Sequence, residues 1–186
     1  NAPVCSVARS TLISSCYGPR TGAQFHRRSQ LVPLPEGVEM FPAYLRRAGY
    51  YTTNNSKEDY NYIKGEGVWD ESSRVAHWSK RGPGQPFFHK ESHPVSHEGS
   101  LHFDKELMQN YHPVCNPDSV KLFPNHPDTE LFRFTAAYYR DRILSVDSIV
   151  GHVIKELEED GLLESTFVFY FGDHGGVLPG SKGYAY

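Results

Sequence analysis

The sequence predicts an α/β protein, on three observations. Residues 36–50 carry Val38, Phe41, Tyr44, Leu45 and Ala48 at three- to four-residue spacing, a helical period, and Tyr50-Tyr51-Thr52-Thr53 follows with strand-forming residues. Residues 130–160 repeat the helical pattern over a longer stretch and pass through Gly161 into Thr166-Phe167-Val168-Phe169-Tyr170-Phe171. That run has little polar content and reads as a strand covered on both faces. Gly172-Asp173-His174-Gly175-Gly176 stands at its C-terminal end, where open α/β sheets bind ligands.

Composition narrows the function. The 186 residues suit about one domain. Hydrophobic residues make up 38% and charged residues 22%, which excludes a disordered chain. The net charge of −3 argues against nucleic-acid binding by bulk electrostatics. No run of about 18 apolar residues exists, so no membrane span is expected. Three cysteines do not make a disulfide framework. Both ends, Asn1-Ala2-Pro3 and Gly183-Tyr184-Ala185-Tyr186, read as cuts within a larger protein. The lack of a leader therefore says nothing about secretion.

Taken in order, the elements follow from local signals. Val4 to Ser15 begins a helix that Ser6 or Ser10 could cap and that Pro19 and Gly22 end. In the helix of residues 36–50, Pro42 sits in the first turn and Gly49 is the stop. Residues 54–85 are polar with few periodic positions, and Pro86-Phe87-Phe88 starts another short strand. Residues 89–128, rich in Pro, His and Asn, read as a loop-rich excursion over the rim of a sheet. The 130–160 helix puts Leu131, Phe134, Tyr138, Val146, Ile149, Val150, Val153, Ile154 and Leu157 on one face. The acidic stretch Glu156 to Asp160 reads as solvated.

Two groups of residues carry chemistry. Asp173-His174 offers a carboxylate and an imidazole after a strand, a donor pair for a hard cation or a turn with a capping Asp. Cys5 lies just before a helix, whose dipole lowers a thiol pKa, and Arg9 four residues on can hold an anion. By spacing alone, a buried cysteine and a surface arginine are the favoured explanation of the second group.

Together the two groups point further. Asn1-Ala2-Pro3-Val4-Cys5-Ser6-Val7-Ala8-Arg9-Ser10-Thr11-Leu12 resembles the sulfatase signature, and Phe169-Tyr170-Phe171-Gly172-Asp173-His174-Gly175 is similar to that family's second, metal-binding motif. Lys182 matches the lysine that follows it. The resemblance implies an alkaline-phosphatase-like mixed sheet flanked by helices, incomplete in this piece, with residues 1–186 forming part of one catalytic domain cut at both ends. It also implies hydrolysis of sulfate esters, with Cys5 oxidised to formylglycine by a maturation enzyme. The aldehyde hydrate has two hydroxyls on one carbon. One attacks sulfur, and the other then loses its proton so that sulfate leaves as the aldehyde re-forms.

The remaining roles follow from the resemblance and from charge. A Ca²⁺ ion would be held by Asp173, His174 and the hydrate of residue 5. Arg9 would orient the hydrate, and Lys182 would bind a sulfate oxygen. Lys57 is the candidate for the family's lysine after its second strand. His97, in Ser96-His97-Glu98, is the candidate for the group that protonates the leaving alcohol or binds sulfate. His89 and His93 read as surface loop residues, and Pro94 argues against a helical zinc pair there.

Two departures stand out. Val7 occupies a position where the maturation signal usually has Pro or Ala. Asp59 stands where the family usually has His. The family's paired acidic metal ligands lie on a strand that would precede Asn1. The alternatives are a phosphoesterase or phosphonate hydrolase of the same superfamily, and an inactive carbohydrate-binding relative. The implied substrate is a sulfated small molecule or glycan, and the implied location is periplasmic, secreted or lysosomal. Tyr60, Tyr62, Trp69 and Trp78 could stack on sugar rings but suit packing better. Cys16 and Cys115 pair or remain free.

Overall fold

In the computed structural model, Tyr51–Asn55 forms β1, the middle strand of a three-stranded parallel sheet. β2 (Glu71–Ser72) lies on one side of it and β3 (Phe87–Glu91) on the other. Tyr51 stands opposite Phe87 and Asn55 opposite Glu91, so the two longer strands pair along their whole length. The structure describes residues 3–27 and 30–183. Asn1-Ala2 and Tyr184-Ala185-Tyr186, the outer ends of the two motif-bearing stretches, lie outside them. The chain divides into two compact units, residues 1–92 and 93–186. No helix among the described residues is long and apolar enough to cross a membrane.

The first unit holds the sheet and three helices: α1 (Cys5–Ser14), α2 (Gly18–Thr21) and α3 (Phe41–Arg47). Ile13, Ala23, Met40, Tyr62 and Val68 form its core, with Tyr60 and Trp69 packed against it. Alternation along β3 separates two faces. Phe88 meets Phe41 of α3 edge-on at 5.1 Å and stacks on Trp69 at 6.0 Å. Phe87 and His89 instead contact Trp78, at 6.0 and 5.1 Å. Tyr62 and Trp78 are wholly buried, so these aromatic residues serve packing.

Several expectations about boundaries need correction. The helix expected over 36–50 is confined to Phe41–Arg47, with Pro42 in its first turn. Neither Ser6 nor Ser10 caps α1, because both lie inside the helix. The N-cap is Val4, with no side-chain bond. Ser10 Oγ donates back to the Ser6 carbonyl at 2.5 Å and accepts from the buried Asn61 N–H at 2.8 Å, so its hydroxyl is committed to the core. α1 ends before Ser15, which takes a left-handed conformation (φ 57°). Pro19 and Gly22 belong to the next element, at the start of α2 and at its left-handed C-cap. β2 arises within the polar 54–85 stretch, where no strand was expected. Its two residues pair with Thr53 and Asn54 and are both polar, leaving no apolar period to read.

The second unit is organised by α5 (Glu130–Glu159), close to the expected 130–160. Thr129 caps it, accepting from the Phe132 N–H at 3.2 Å. Phe134, Tyr138, Val146 and Leu157 are buried as expected, whereas Leu131 is 57% exposed. Glu156, Glu158, Glu159 and Asp160 are solvated. Phe103 and Tyr111 meet Tyr138 edge-on, at 5.5 and 5.0 Å. Asp141, buried in the helix, accepts from the Tyr111 hydroxyl and the Val114 N–H, both at 2.9 Å. These contacts tie residues 111–114 to α5. The stretch 89–128 is loop-rich but begins inside β3 and includes the short helix α4 (Lys105–Asn110).

The largest correction concerns Thr166–Phe171. The segment belongs to no strand and pairs with no other among the described residues. Phe167 is 92% exposed and Phe169 82%. An apolar run signals a need for cover on both faces. It forms a ladder only where a neighbouring backbone offers donors and acceptors, and no described segment does so.

Candidate active site

In the first unit, Cys5 is the first residue of α1 rather than a residue preceding it, and it is buried. Arg9 follows one helical turn later on the same face. Its guanidinium spans the ends of two strands. Nη1 donates to the Lys57 carbonyl at 3.0 Å, beyond β1, and Nη2 to Ser92 Oγ at 3.1 Å, beyond β3. Arg9 is thus an oriented, buried cation rather than a surface arginine. Arg9 and Lys57 are brought together as backbone and side-chain partners.

Lys57 directs its ammonium elsewhere, to Asp59 Oδ2 at 3.5 Å. Asp59 also receives Arg27, whose Nε and Nη2 donate to its two oxygens at 3.2 and 3.3 Å. Burial pushes the Asp59 carboxyl up, but the Arg27 hydrogen bond and the charges of Lys57 and Arg27 outweigh it. The group is held below the usual aspartate value. It is therefore an anion at neutral pH, and it joins two cations where a histidine was expected.

Ser6, beside Cys5, pairs with His26 Nδ1 at 3.0 Å and accepts from the Arg27 N–H at 2.9 Å. Residues 26–27 are thereby fixed to the first turn of α1. Val7, the other departure, is buried, and its Cγ1 would lie 3.2 Å from a Cβ placed on Gly18. Val7 therefore packs closely against Gly18, the first residue of α2, where a side chain would also crowd the Gln24 backbone.

His89 needs correction. It lies on β3, not in a surface loop, and both ring nitrogens are engaged: Nδ1 with Thr53 Oγ1 at 2.6 Å and Nε2 with Glu91 Oε1 at 2.9 Å. The strand extends past Phe88, and alternation turns His89 toward Trp78. His93 is exposed, as expected.

The second unit carries the other expected residues. Asp173 Oδ1 and His174 Nε2 lie 3.4 Å apart, and the His174 side chain is 7% exposed. The two donors are therefore adjacent in space as well as in sequence. Lys182 forms an ion pair with Glu98. His97, the residue before Glu98, caps a 3-10 turn over Glu98–Leu101 and accepts from the Gly99 N–H at 3.1 Å through Nδ1. Its Nε2 is the nitrogen not used by that cap. Cys16 and Cys115 form no disulfide.

Sequence reasoning missed Ser6, His26, Arg27, Asn54, Lys90 and Ser92. Lys90 had a local signal, a charge inside a strand that starts with two phenylalanines. The others depend on which segments meet in space.

The first unit thus carries a buried cysteine and arginine on one helix beside the ends of parallel strands, and the second carries an Asp-His pair. The sulfatase family model matches residues 55–186, and the chain belongs to that family. An ulvan-active sulfatase of Formosa agariphila is 31% identical over 221 residues, covering 96% of this chain and 37% of its own length. Human arylsulfatase D is 36% identical over 47 residues, 25% of this chain and 8% of that protein. A solved structure from work on glycosaminoglycan metabolism by Bacteroides thetaiotaomicron superposes with a TM-score of 0.55 at 16% identity. It covers 87% of this chain and 47% of that one, and supports the fold. The chain thus spans about a third of the ulvan-active relative and about half of the solved one.

Proposed function

We propose that the full-length protein hydrolyses sulfate esters of a sulfated glycan. The observation that carries this reading is the Cys5–Arg9 pair, with Arg9 braced on the ends of β1 and β3. A transferred sulfuryl group is anionic, and an oriented guanidinium lowers the cost of charge that develops on it. The sulfatase family model and the ulvan-active relative support the same reaction class. That the substrate is a glycan rests on that relative's substrate and is the finer part of the proposal.

Residue 5, as formylglycine, would supply the nucleophile. Asp173 and His174 fit a calcium ion by donor chemistry, since one carboxylate and one imidazole lie side by side. Such an ion would supply Lewis-acid stabilisation of the anion. Arg9 holds the nucleophile in orientation, and Lys57 and Lys182 offer ammonium groups to sulfate oxygens. His97, with Nδ1 accepting from the Gly99 N–H, would offer its Nε2–H as a hydrogen-bond donor to a sulfate oxygen. With Asp59 held as an anion between Lys57 and Arg27, its part is to orient Lys57 rather than to donate a proton. The reading places the protein in a secreted, periplasmic or lysosomal compartment.

Release of sulfate from sulfated glycans, compared with release of phosphate from phosphate esters, tests the reading. Preferential sulfate release, with residue 5 detected as the aldehyde in a peptide mass spectrum, is the expected result. Preferential phosphate release would assign the phosphoesterase alternative. No release of either would assign the inactive relative.

A further inference from the structure

Lys90 is a cation beside Arg9 that the proposed reaction leaves without a task. It stands on β3 opposite Asn54 of β1. Its ammonium donates to Asn54 Oδ1 at 2.7 Å, to the Lys57 carbonyl at 2.9 Å and to Ser92 Oγ at 3.1 Å. Three bonds match the three protons of an ammonium. Two of these acceptors are the ones that Arg9 uses, at 3.0 and 3.1 Å. A carbonyl or hydroxyl oxygen has two lone pairs, so each shared oxygen is filled by two cationic donors. Neither oxygen can move without breaking a charge-assisted bond. The hydroxyl of Ser92 can act further only by donating its own proton.

Asn54 is wholly buried in the central strand, so the assembly is anchored to the sheet rather than to a loop. Without Lys90, the Lys57 carbonyl and the Ser92 hydroxyl would each lose one of their two cationic donors and keep only Arg9. The Lys57 carbonyl lies beyond the end of β1, and although the Ser92 N–H still donates to the Asn55 carbonyl at 2.8 Å, the Ser92 hydroxyl can rotate about its own side-chain bond unless it is held.

We propose that Lys90 is a positioning residue for Arg9, holding the Lys57 carbonyl and the Ser92 hydroxyl so that the guanidinium meets its anion in one fixed plane. The inference rests on the role given to Arg9 above. It concerns a contact between two cations and two neutral oxygens that the sulfatase motifs do not include.

The test uses the full-length protein. Lys90→Met keeps the apolar stem and removes the ammonium. In a crystal structure of this variant, Arg9 is expected to lose its two contacts. With 4-nitrophenyl sulfate as the probe, kcat of the folded variant is expected to fall about 10²-fold with KM near that of the wild type, while Tm also falls because the buried Asn54 Oδ1 loses its donor. Lys90→Arg, which retains a cation with several donors, should recover part of that loss. Ser92→Ala added to Lys90→Met should cost less than the two single losses combined, because both act on the same guanidinium. A purely structural residue would lower Tm and leave kcat of the folded enzyme intact, which would overturn the inference. An Arg9 that keeps both contacts in the Lys90→Met crystal structure overturns it as well, with or without substrate. If the wild type hydrolyses no sulfate ester, the proposed reaction fails, and the Arg9 contacts alone decide for Lys90.

Discussion

Asp173 and His174 are neighbours in sequence and in space, yet they offer a cation different things. The carboxylate brings negative charge and oxygen, which a hard ion prefers, while the imidazole brings a neutral nitrogen. Asp173→Ala should therefore lower calcium affinity about 10²-fold, near 2.7 kcal/mol, and His174→Ala less. Calcium titration of the two variants checks the order; equal losses would contradict it. The Cys5 and Arg9 pair was legible in the sequence because helical spacing alone puts them on one face. Lys90 and Ser92 were not placed with Arg9, because their meeting depends on the parallel register of β1 and β3, segments about thirty residues apart in the chain. Asp59 was legible as a departure, but its partner Arg27 was not. Nothing local to residues 24–30 shows that Ser6 holds that loop.

Among the elements, β1 is held on its β2 side by one side chain in addition to backbone bonds. Asp70 Oδ2 accepts from the buried Thr52 N–H at 2.7 Å and from Thr52 Oγ1 at 3.1 Å, and Oδ1 accepts from Arg46 Nε at 2.8 Å. Asp70 thereby links α3, β1 and the approach to β2. Burial pushes its carboxyl up, but the Thr52 backbone bond, the Arg46 bond and the Thr52 hydroxyl hold it below the ordinary value of 3.8. A depressed carboxylate pKa contributes stability that is present above the unfolded value and lost as pH falls through the folded one. Asp70→Ala leaves the Thr52 N–H without this acceptor and should cost about 1–3 kcal/mol near pH 7. The difference from wild type should shrink below the ordinary value of 3.8, and urea denaturation across that range reads it. A gap that is constant with pH would contradict the ionic part of the account. α5 was the most legible element, since thirty residues of period and a threonine cap leave little choice. α3 was overextended because Val38 fits the period while lying before the first turn, and Ala48, which still donates to the Tyr44 carbonyl, is the C-cap that ends the helix. β2 is too short to have a pattern at all.

For the whole molecule, the α/β class was legible because the step from α3 to β1 carries a helical period followed by strand-forming residues. The run Thr166–Phe171 shows the limit of that reading: its apolar character was plain, but its cover depends on segments that local pattern does not supply. Phe167, Phe169, Tyr170 and Phe171 are all exposed along this one segment. The 186-residue chain by itself is expected to bind the dye ANS, and Phe167→Ser with Phe169→Ser should reduce the fluorescence. Unchanged fluorescence in that double variant would mean that the surface lies elsewhere. The whole account depends most on residue 5 as the source of the nucleophile. The full-length protein, produced together with a formylglycine-generating enzyme and assayed for sulfate release from a sulfated glycan, tests that dependence most directly. Wild type should release sulfate, and Cys5→Ala, which retains α1 and the braced Arg9, should fall to background. Near-wild-type release by Cys5→Ala would contradict the account.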